Sequence, residues 1–479
     1  MKKSLLLLAA FLVMTSCNQE PEQAPVIEKH KVEVVDGKFT PEVMHQLGKV
    51  SDVQVSPAGD KILYGVTYTD IALNKGQRHL YLMNVDGSEN CQLTHFAKSV
   101  NNARWIDDSN IAFIMGGQIY VWNIVKGGEP VKVSDVAAGV EGFELSPDGT
   151  QVMYVSQVKS AIKPTDDYPD MDKSTGRTIT GLMYRHWDQF VETIPHTYIA
   201  SFSLNGVGEG VDILDGAPYE LPTLPFGGLE QLSWSPDGKY IAYSCRKLTG
   251  KEYAYSTNTD IYLYDIAAKS CKNLTEGMPG YDTDPLFSTD GKKVAWISMR
   301  RGGFEADKQR LFVVDLATGK REELTTEFKY NVSSPVWKED GSGFYFTSLV
   351  NALQGIFEMD LDGNVRRITP EDAWYDFDGV TKVGDRLITT NRCMNRPNEI
   401  VSVSVADGSF IQLTHENDEI LSQVKTGKIE QRWITTVDNK KMHTWVVYPP
   451  DFDPAKKYPA VLFCLGGPQG TISQGFSTR

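Results

Sequence analysis

A unit of roughly 40–50 residues recurs along most of the chain, and a period of that size restricts the fold more than any other feature of the sequence. One half of each unit is a pair of alternating apolar segments around a turn. It reads Val53-Gln-Val-Ser-Pro-Ala-Gly-Asp-Lys-Ile-Leu-Tyr64, Phe143-Glu-Leu-Ser-Pro-Asp-Gly-Thr-Gln-Val-Met-Tyr154 and Leu232-Ser-Trp-Ser-Pro-Asp-Gly-Lys-Tyr-Ile-Ala-Tyr243. Shorter copies stand at Pro285–Gly291 and Val336–Gly341, and degenerate ones at Arg104–Asn110 and Gly379–Asp385. Pro presets φ, Asp offers a side-chain acceptor and Gly takes positive φ, which together make a tight turn. The other half is a strand, a turn and a terminal Leu-Thr or Ile-Thr, as in Leu80–Asn84 to Thr94, Ile261–Asp265 to Thr275, Leu311–Asp315 to Thr325, Ile356–Asp360 to Thr369 and Ile400–Ser404 to Thr414. Ile119–Asn123 and Tyr198–Phe202 complete the set, giving seven units of four strands. Strands repeated in fours at this period predict an all-β, seven-bladed β-propeller over residues 49–421. A β-sandwich would not explain a four-strand unit repeated seven times.

The third unit is stretched by an insert, Ser156 to Thr197, that contains the run Met183-Tyr-Arg-His-Trp-Asp-Gln-Phe-Val-Glu192. Long inserts in compact repeats carry function more often than not. In a blade of strands A to D, the B–C loops and the D-to-A connectors share one face, and the A–B turns lie on the other. The insert is a B–C loop, and Asp215-Gly-Ala-Pro-Tyr-Glu-Leu-Pro222 is the D-to-A connector of the same unit, so both reach one face.

Ahead of the repeats, Lys2 and Lys3 precede an apolar run, Leu5 to Met14, too short to span a bilayer. It ends at Met14-Thr-Ser-Cys17 and resembles a bacterial lipoprotein signal, residues 1–17, in which Cys17 becomes the lipidated first residue. Residues 18–48 read as a polar tether with a short helix, Thr40 as N-cap, Pro41 in the first turn and an end near Leu47. The expected location is the bacterial cell envelope, lipid-anchored on its periplasmic or outer-membrane face. The net charge of −14 argues against a nucleic-acid partner. The remaining cysteines, Cys91, Cys245, Cys271, Cys393 and Cys464, are odd in number and widely spaced, which predicts thiols rather than a disulfide framework. No histidine spacing suits a metal, so neither metal nor other cofactor is expected.

Beyond the last unit, residues 422–479 change character. Ile429–Thr436 and His443–Tyr448 form an apparent hairpin around Asp438-Asn439. A short apolar run, Ala460 to Leu465, reads as a strand buried on both faces that enters Gly466-Gly467-Pro468. A buried strand ending in Gly-Gly is how α/β-hydrolases place part of an oxyanion hole.

A seven-bladed propeller leading into such strands resembles the prolyl-oligopeptidase clan of serine peptidases, and within it the bacterial dipeptidyl-peptidase V subfamily. The residues that carry the likeness are the insert run Leu182–His196, the segment Tyr255-Ser-Thr-Asn-Thr-Asp-Ile-Tyr262 and Cys464-Leu-Gly-Gly-Pro-Gln469. Leu465 departs from the pattern, since many members have His there. The resemblance implies release of dipeptides from peptide N-termini through an acyl-enzyme, with Ser as nucleophile, His as base and Asp orienting it. It assigns oxyanion donation to the backbone of Gly466 or Gly467. It also implies a carboxylate that grips the substrate's free amine. Glu192 and Glu220 are the candidates on the hydrolase-facing side, Asp188 is a weaker one, and Trp187 and Tyr219 are placed to line the pocket. A full-length form would be a homodimer.

The nucleophile, base and orienter of the family lie beyond Arg479, so the chain is expected to be a truncated peptidase, inactive alone. Thr471-Ile-Ser-Gln-Gly475 approaches Gly-x-Ser-x-Gly, but its first residue is Thr and it follows the oxyanion segment directly, so Ser473 is not expected to be a nucleophile. The alternative is a non-catalytic propeller that binds partners in the envelope. Against it, Ile429 to Leu465 would leave apolar strands with unpaired edges.

Overall fold

The computed structural model describes residues 25–161, 163–466 and 470–477. Cys17 and Gly467 lie outside them. The repeats fold as expected into seven blades, six of them four-stranded sheets and one five-stranded. Blade 1 runs Lys49–Val55, Lys61–Asp70, Lys75–Asn84 and Cys91–Gln92, each strand antiparallel to the one before. Blade 7, Asp376–Val383 to Phe410–Gln412, repeats that order. Apolar side chains from adjacent blades interdigitate into successive core clusters, for example Ala112, Ile114 and Val121 of blade 2 with Phe143, Val152 and Ala200 of blade 3.

Two recurring bonds explain the sequence signature. At the A–B turns the glycines take positive φ, +74° at Gly59, +68° at Gly149, +66° at Gly238 and +70° at Gly291. The serine opening each turn accepts the backbone N–H of the following strand: Lys61 to Ser56 at 3.0 Å, and Gln151 to Ser146, Tyr240 to Ser235 and Lys293 to Ser288 at 2.9 Å. The serine hydroxyl in turn donates to the turn aspartate, and that bond from Ser288 holds the Asp290 carboxyl down to about 2. At the other end, the Leu-Thr threonine is buried and its Oγ1 accepts the strand-C N–H that lies just beyond the end of strand D. The pairs are Leu80 to Thr94 (2.9 Å), Ile261 to Thr275 (3.0 Å), Leu311 to Thr325 (3.1 Å), Ile356 to Thr369 (3.0 Å) and Ile400 to Thr414 (2.8 Å). In blade 2 the hydroxyl of Ser134 takes the same role for Ile119, at 2.8 Å.

Blades 1 and 7 are each built from contiguous sequence and share no strand. Their seam is closed by side chains. Ile27, Val50, Ile62 and Tyr64 pack with Ile388, Ile400 and Leu413. Asn417 accepts from the Gly48 N–H at 2.8 Å and donates to the Gly48 carbonyl at 2.9 Å. The Tyr68 hydroxyl donates to Glu416 Oε1 at 3.0 Å, and Lys29 pairs with the same carboxylate. Behind them Glu399 is fully buried and accepts from the Thr414 hydroxyl at 2.6 Å and from the N–H groups of Glu416 and Asn417, both at 3.2 Å.

The short helix runs Pro41–His45 with Thr40 as its N-cap. The hairpin is present as Ile429–Thr435 and Lys441–Val447. It leans on the propeller through Trp445, whose ring meets Trp374 edge-on with centroids 5.4 Å apart. The third expected strand is not formed. Ala460–Leu465 has no strand partner among the described residues, and Val461, Leu462 and Phe463 are 96%, 83% and 73% exposed. A strand apolar on both faces needs neighbours along its edges and layers above and below it. The hairpin strands pair with each other, and no described residue covers the run.

Two outcomes are expected. Thr275→Val keeps the shape but leaves the buried Ile261 N–H without its acceptor, which should lower stability by about 1–3 kcal/mol in a denaturant titration. Burial raises the Glu399 carboxyl to about 7, from a reference of 4.5. The native state therefore holds this proton more tightly than the unfolded chain. The stability it contributes is complete below about pH 4.5 and is lost as pH rises to about 7, a difference of at most about 3 kcal/mol. Glu399→Gln should remove that share of the fall, seen as melting temperatures that drop less between pH 5 and 7.5 than those of the unaltered chain.

Candidate functional site

Strands B and C of blade 3, Gln151–Lys159 and Thr193–Ser203, pair without interruption from Gln151↔Ser201 to Lys159↔Thr193 and carry the insert out on their far end. Its neck is tied by the Glu192 carbonyl, which accepts from the N–H groups of Ser160 (3.0 Å) and Ala161 (3.1 Å). A two-residue turn, Trp187-Asp188, joins the small strands Arg185–His186 and Gln189–Phe190. Trp187 holds φ +46°, a conformation that Gly or Asn adopts far more readily than a large aromatic residue. Its side chain is 72% exposed and meets Phe226 of the D-to-A connector edge-on, centroids 5.2 Å apart.

Insert and connector thus meet on one face, as the order of strands requires. Between them lies a cleft of about 650 Å³ lined by Arg177, His186, Trp187, Asp188, Phe190, Glu192, Leu224 and Pro225, among others. Three of the expected residues, Glu192, Trp187 and Asp188, therefore share one wall. Glu192 is not a free carboxylate: Lys163 Nζ stands 2.7 Å from one oxygen and Arg177 Nη2 3.0 Å from the other. The hydrogen bond from Lys163 is the main reason its carboxyl lies below the usual range. Arg177 also lies over the Phe190 ring, 4.1 Å from its centroid.

Glu220 sits behind the cleft, only 2% exposed. One carboxylate oxygen bonds to His186 Nε2 at 2.7 Å, and the other accepts from the Tyr253 hydroxyl at 3.0 Å. Tyr253 belongs to the helix Gly250–Tyr255 in the B–C loop of blade 4, so three separate loops converge on this carboxylate. Burial raises the Tyr253 phenol and keeps it a donor. The Cys245 thiol, pushed up to about 12 by burial, donates to the Glu220 carbonyl at 3.4 Å. Tyr219 faces the other way and packs on the core shared by blades 3 and 4.

His186 was not singled out from the sequence, because a lone histidine in an insert carries no spacing signal. A second site was missed as well. A cavity of about 620 Å³ lies among the innermost strands of five blades and is lined by Asp52, Glu230, Asp284 and Asp378. Asp52 is balanced by Arg78 and Arg104, and Asp378 by Arg392. Burial, together with the nearby Glu230, raises the Asp284 carboxyl to about 6. A signal existed. Aligning the units puts Asp52, Asn102, Asp284, Ser334 and Gly379 at one position, where a bulge gives each positive φ.

Gly466 is exposed, with open space around its Cα. Ser473 donates to Asp376 Oδ2 at 2.6 Å, and no histidine bonds to either among the described residues. A serine faces a His–Asp pair elsewhere, in blade 3, where Ser156 opposes His196 and His196 Nδ1 bonds to Asp212 at 2.8 Å. Ser156 and His196 are buried, and the Ser156 hydroxyl donates to the Gly139 carbonyl instead.

A TolB β-propeller domain model matches residues 232–422. Dipeptidyl-peptidase 5 of Porphyromonas gingivalis is 42% identical over 446 residues, 92% of this chain and 65% of the relative. The chain is a homologue of dipeptidyl-peptidase 5. The dipeptidyl-peptidase 5 of Porphyromonas endodontalis is 40% identical over the same length and share of this chain. The chain spans about two thirds of these dipeptidyl-peptidase 5 proteins, 65% and 64% of their lengths. Among solved structures, an acylaminoacyl peptidase in complex with Z-Gly-Gly-Phe-chloromethyl ketone superposes with a TM-score of 0.70 at 18% identity, covering 92% of this chain and 64% of that one. The β-propeller domain of the Trilobed protease from Pyrococcus furiosus gives 0.51 at 15% identity, covering 78% of this chain and 98% of the domain. The likeness to prolyl-oligopeptidase peptidases drawn from the insert and the Gly-Gly segment agrees with the dipeptidyl-peptidase 5 homology, and the propeller agrees with these folds.

The strain at Trp187 separates folding from function. Trp187→Asn should leave the melting temperature unchanged or raise it, by the equivalent of up to about 1 kcal/mol, although the cleft loses its aromatic rim.

Proposed function

We propose that this chain is the substrate-gating propeller, with the opening strands of the catalytic domain, of a serine dipeptidyl peptidase that removes dipeptides from peptide N-termini. The observation that carries the reading is the 42% identity to dipeptidyl-peptidase 5 over 92% of the chain. The cleft between insert and connector supports it, because it offers carboxylates and an aromatic wall where an amine-bearing peptide end would dock. In this reading Glu220 supplies the negative potential that favours an ammonium group, and Glu192, paired with Lys163 and Arg177, holds the wall of the cleft. Trp187 forms the rim, and Tyr219 supports the connector from behind.

Hydrolysis then proceeds by acyl transfer. The Ser nucleophile attacks the second peptide bond, His takes its proton and passes it to the leaving amine, and Asp orients the His. The backbone N–H of Gly466 or Gly467 donates to the oxyanion, an interaction worth about 3 kcal/mol in the transition state. These N–H groups can act only when Ala460–Leu465 is built into a sheet, so residues 18–479 on their own bind peptide without cleaving it. Cys17 carries a lipid that holds the protein on the envelope membrane, facing the periplasm or the outer-membrane surface. The full-length form is a homodimer.

The test compares two proteins on a dipeptidyl p-nitroanilide with a free amine. The chain of residues 18–479 should release no p-nitroaniline, and the product of the complete reading frame should release it and be silenced by a serine-directed phosphonate. Turnover by the shorter chain would refute the division of labour, and an inactive complete product would refute the peptidase reading.

A further inference from the structure

Recognition of a substrate amine needs an acceptor with a free lone pair that the amine can reach. Neither carboxylate first suited to that task meets both conditions. Glu192 is paired on both oxygens with Lys163 and Arg177. Glu220 is 2% exposed, with both oxygens engaged by His186 and Tyr253. His186 stands between Glu220 and the cleft, lines the cleft, and immediately precedes the strained Trp187 turn. Its Nε2 is the nitrogen bound to the carboxylate, so Nε2 carries the hydrogen. That tautomer leaves the lone pair on Nδ1, which makes no hydrogen bond to any described residue. We propose that His186 Nδ1 is the acceptor for the α-ammonium of a bound peptide, with Glu220 as the positioning residue that fixes the ring and its tautomer. This rests on the reading of the cleft as a dipeptidyl peptidase's substrate site.

Charged groups stand near the ring on the connector, on blade 4, on the insert and on strand A of blade 3. On the connector side stands Glu220. From blade 4 come Tyr253, a neutral donor, and Arg246, whose guanidinium lies 4.6 Å from the Tyr253 ring centroid and brings a positive charge beside the Glu220 pair. On the insert, Glu192 is offset by Arg177 and Lys163, while Asp188 on the turn bears no ion pair among the described residues. From strand A of blade 3, Glu141 accepts from Gln157 at 2.8 Å. An ammonium at Nδ1 would therefore meet a ring whose other nitrogen is bonded to the Glu220 carboxylate, with Arg185 beside it over Phe190. Protonation of the ring turns Nδ1 into a donor and removes the acceptor.

The experiment measures binding of Ala-Phe and of N-acetyl-Ala-Phe to the chain of residues 18–479 by isothermal titration calorimetry between pH 5.5 and 7.5. Ala-Phe should bind at least about tenfold more tightly than its acetylated form at pH 7.5, and that preference should weaken once acid protonates the ring. His186→Gln keeps a donor for Glu220 and should abolish most of the preference. Glu220→Gln removes the neighbouring negative charge and should move the midpoint of the pH profile to lower pH, which loss of packing alone would not do. Glu192→Gln should weaken both peptides in equal proportion. A flat pH profile in the unaltered chain, which needs no variant to fold, overturns the role of His186. So does full preference retained in His186→Gln. If neither peptide binds the unaltered chain, the substrate-cleft reading itself falls and this proposal with it.

Discussion

Six of the seven blades depend on a hydroxyl that accepts one amide hydrogen of strand C, that of Leu80, Ile119, Ile261, Leu311, Ile356 or Ile400. Strand D ends one residue short of that N–H, and burial without an acceptor is expensive. Thr94, Thr275, Thr325, Thr369 and Thr414 solve the problem from the start of the next connector, and each stays buried while doing so. The bond therefore does two things at once: it satisfies strand C and it fixes where the chain leaves strand D. The D-to-A connectors that leave these blades start from a pinned point, and so their loops arrive in a defined place. The connector that carries Glu220 leaves blade 3, which lacks this bond and is anchored differently. In blade 3 the Thr197 hydroxyl donates to the Leu221 carbonyl at 3.0 Å, anchoring the connector from the strand side.

The cleft shows how a repeat acquires a site without breaking its architecture. Strands B and C of blade 3 lengthen and carry thirty-odd residues outward (~30, a length at which a loop usually serves a function) without disturbing the core below. The insert lacks a core of its own. Glu192 with Lys163 and Arg177, and Arg177 over Phe190, hold its walls by charge and by cation–π contact. Such half-exposed pairs contribute little to stability individually. They suit a surface that must keep a shape yet adjust to a peptide. Glu220, by contrast, is fixed by three loops, and it gives the cleft its one rigid electrostatic reference.

The blades were legible because their signals are local. A Ser-Pro-Asp-Gly turn and a Leu-Thr ending each specify a hydrogen bond within a few residues, and seven copies reinforce one another. The hairpin at 429–447 was legible for the same reason. The strand at Ala460–Leu465 was not, since a run buried on both faces is defined by what covers it, and its composition says nothing of whether the cover is present. Glu192, Trp187 and Asp188 could be assigned to one face from strand order alone. What could not be read was which carboxylate remains free, because Lys163 and Arg177 approach Glu192 through the folding of the insert. Nor could His186 be linked to Glu220, thirty-four positions away. Tyr219 and Glu220 are neighbours in sequence, yet one packs on the core and the other bonds to His186 behind the cleft.

The seam between blades 1 and 7 bears on how the molecule comes together. Each blade can form from contacts within a few dozen residues, and its neighbour adds to it in order along the chain. The bond between Gly48 and Asn417 spans 369 positions, and no shared strand draws the ends in beforehand. Contacts of such separation form after local ones. Because loop entropy grows only logarithmically with length, the delay adds little to the free energy of closing the ring once the blades exist. The assembly is thus a linear stack that becomes a circle in its last step. Asn417, Glu416 and Ile27 are the residues with which that circle is completed.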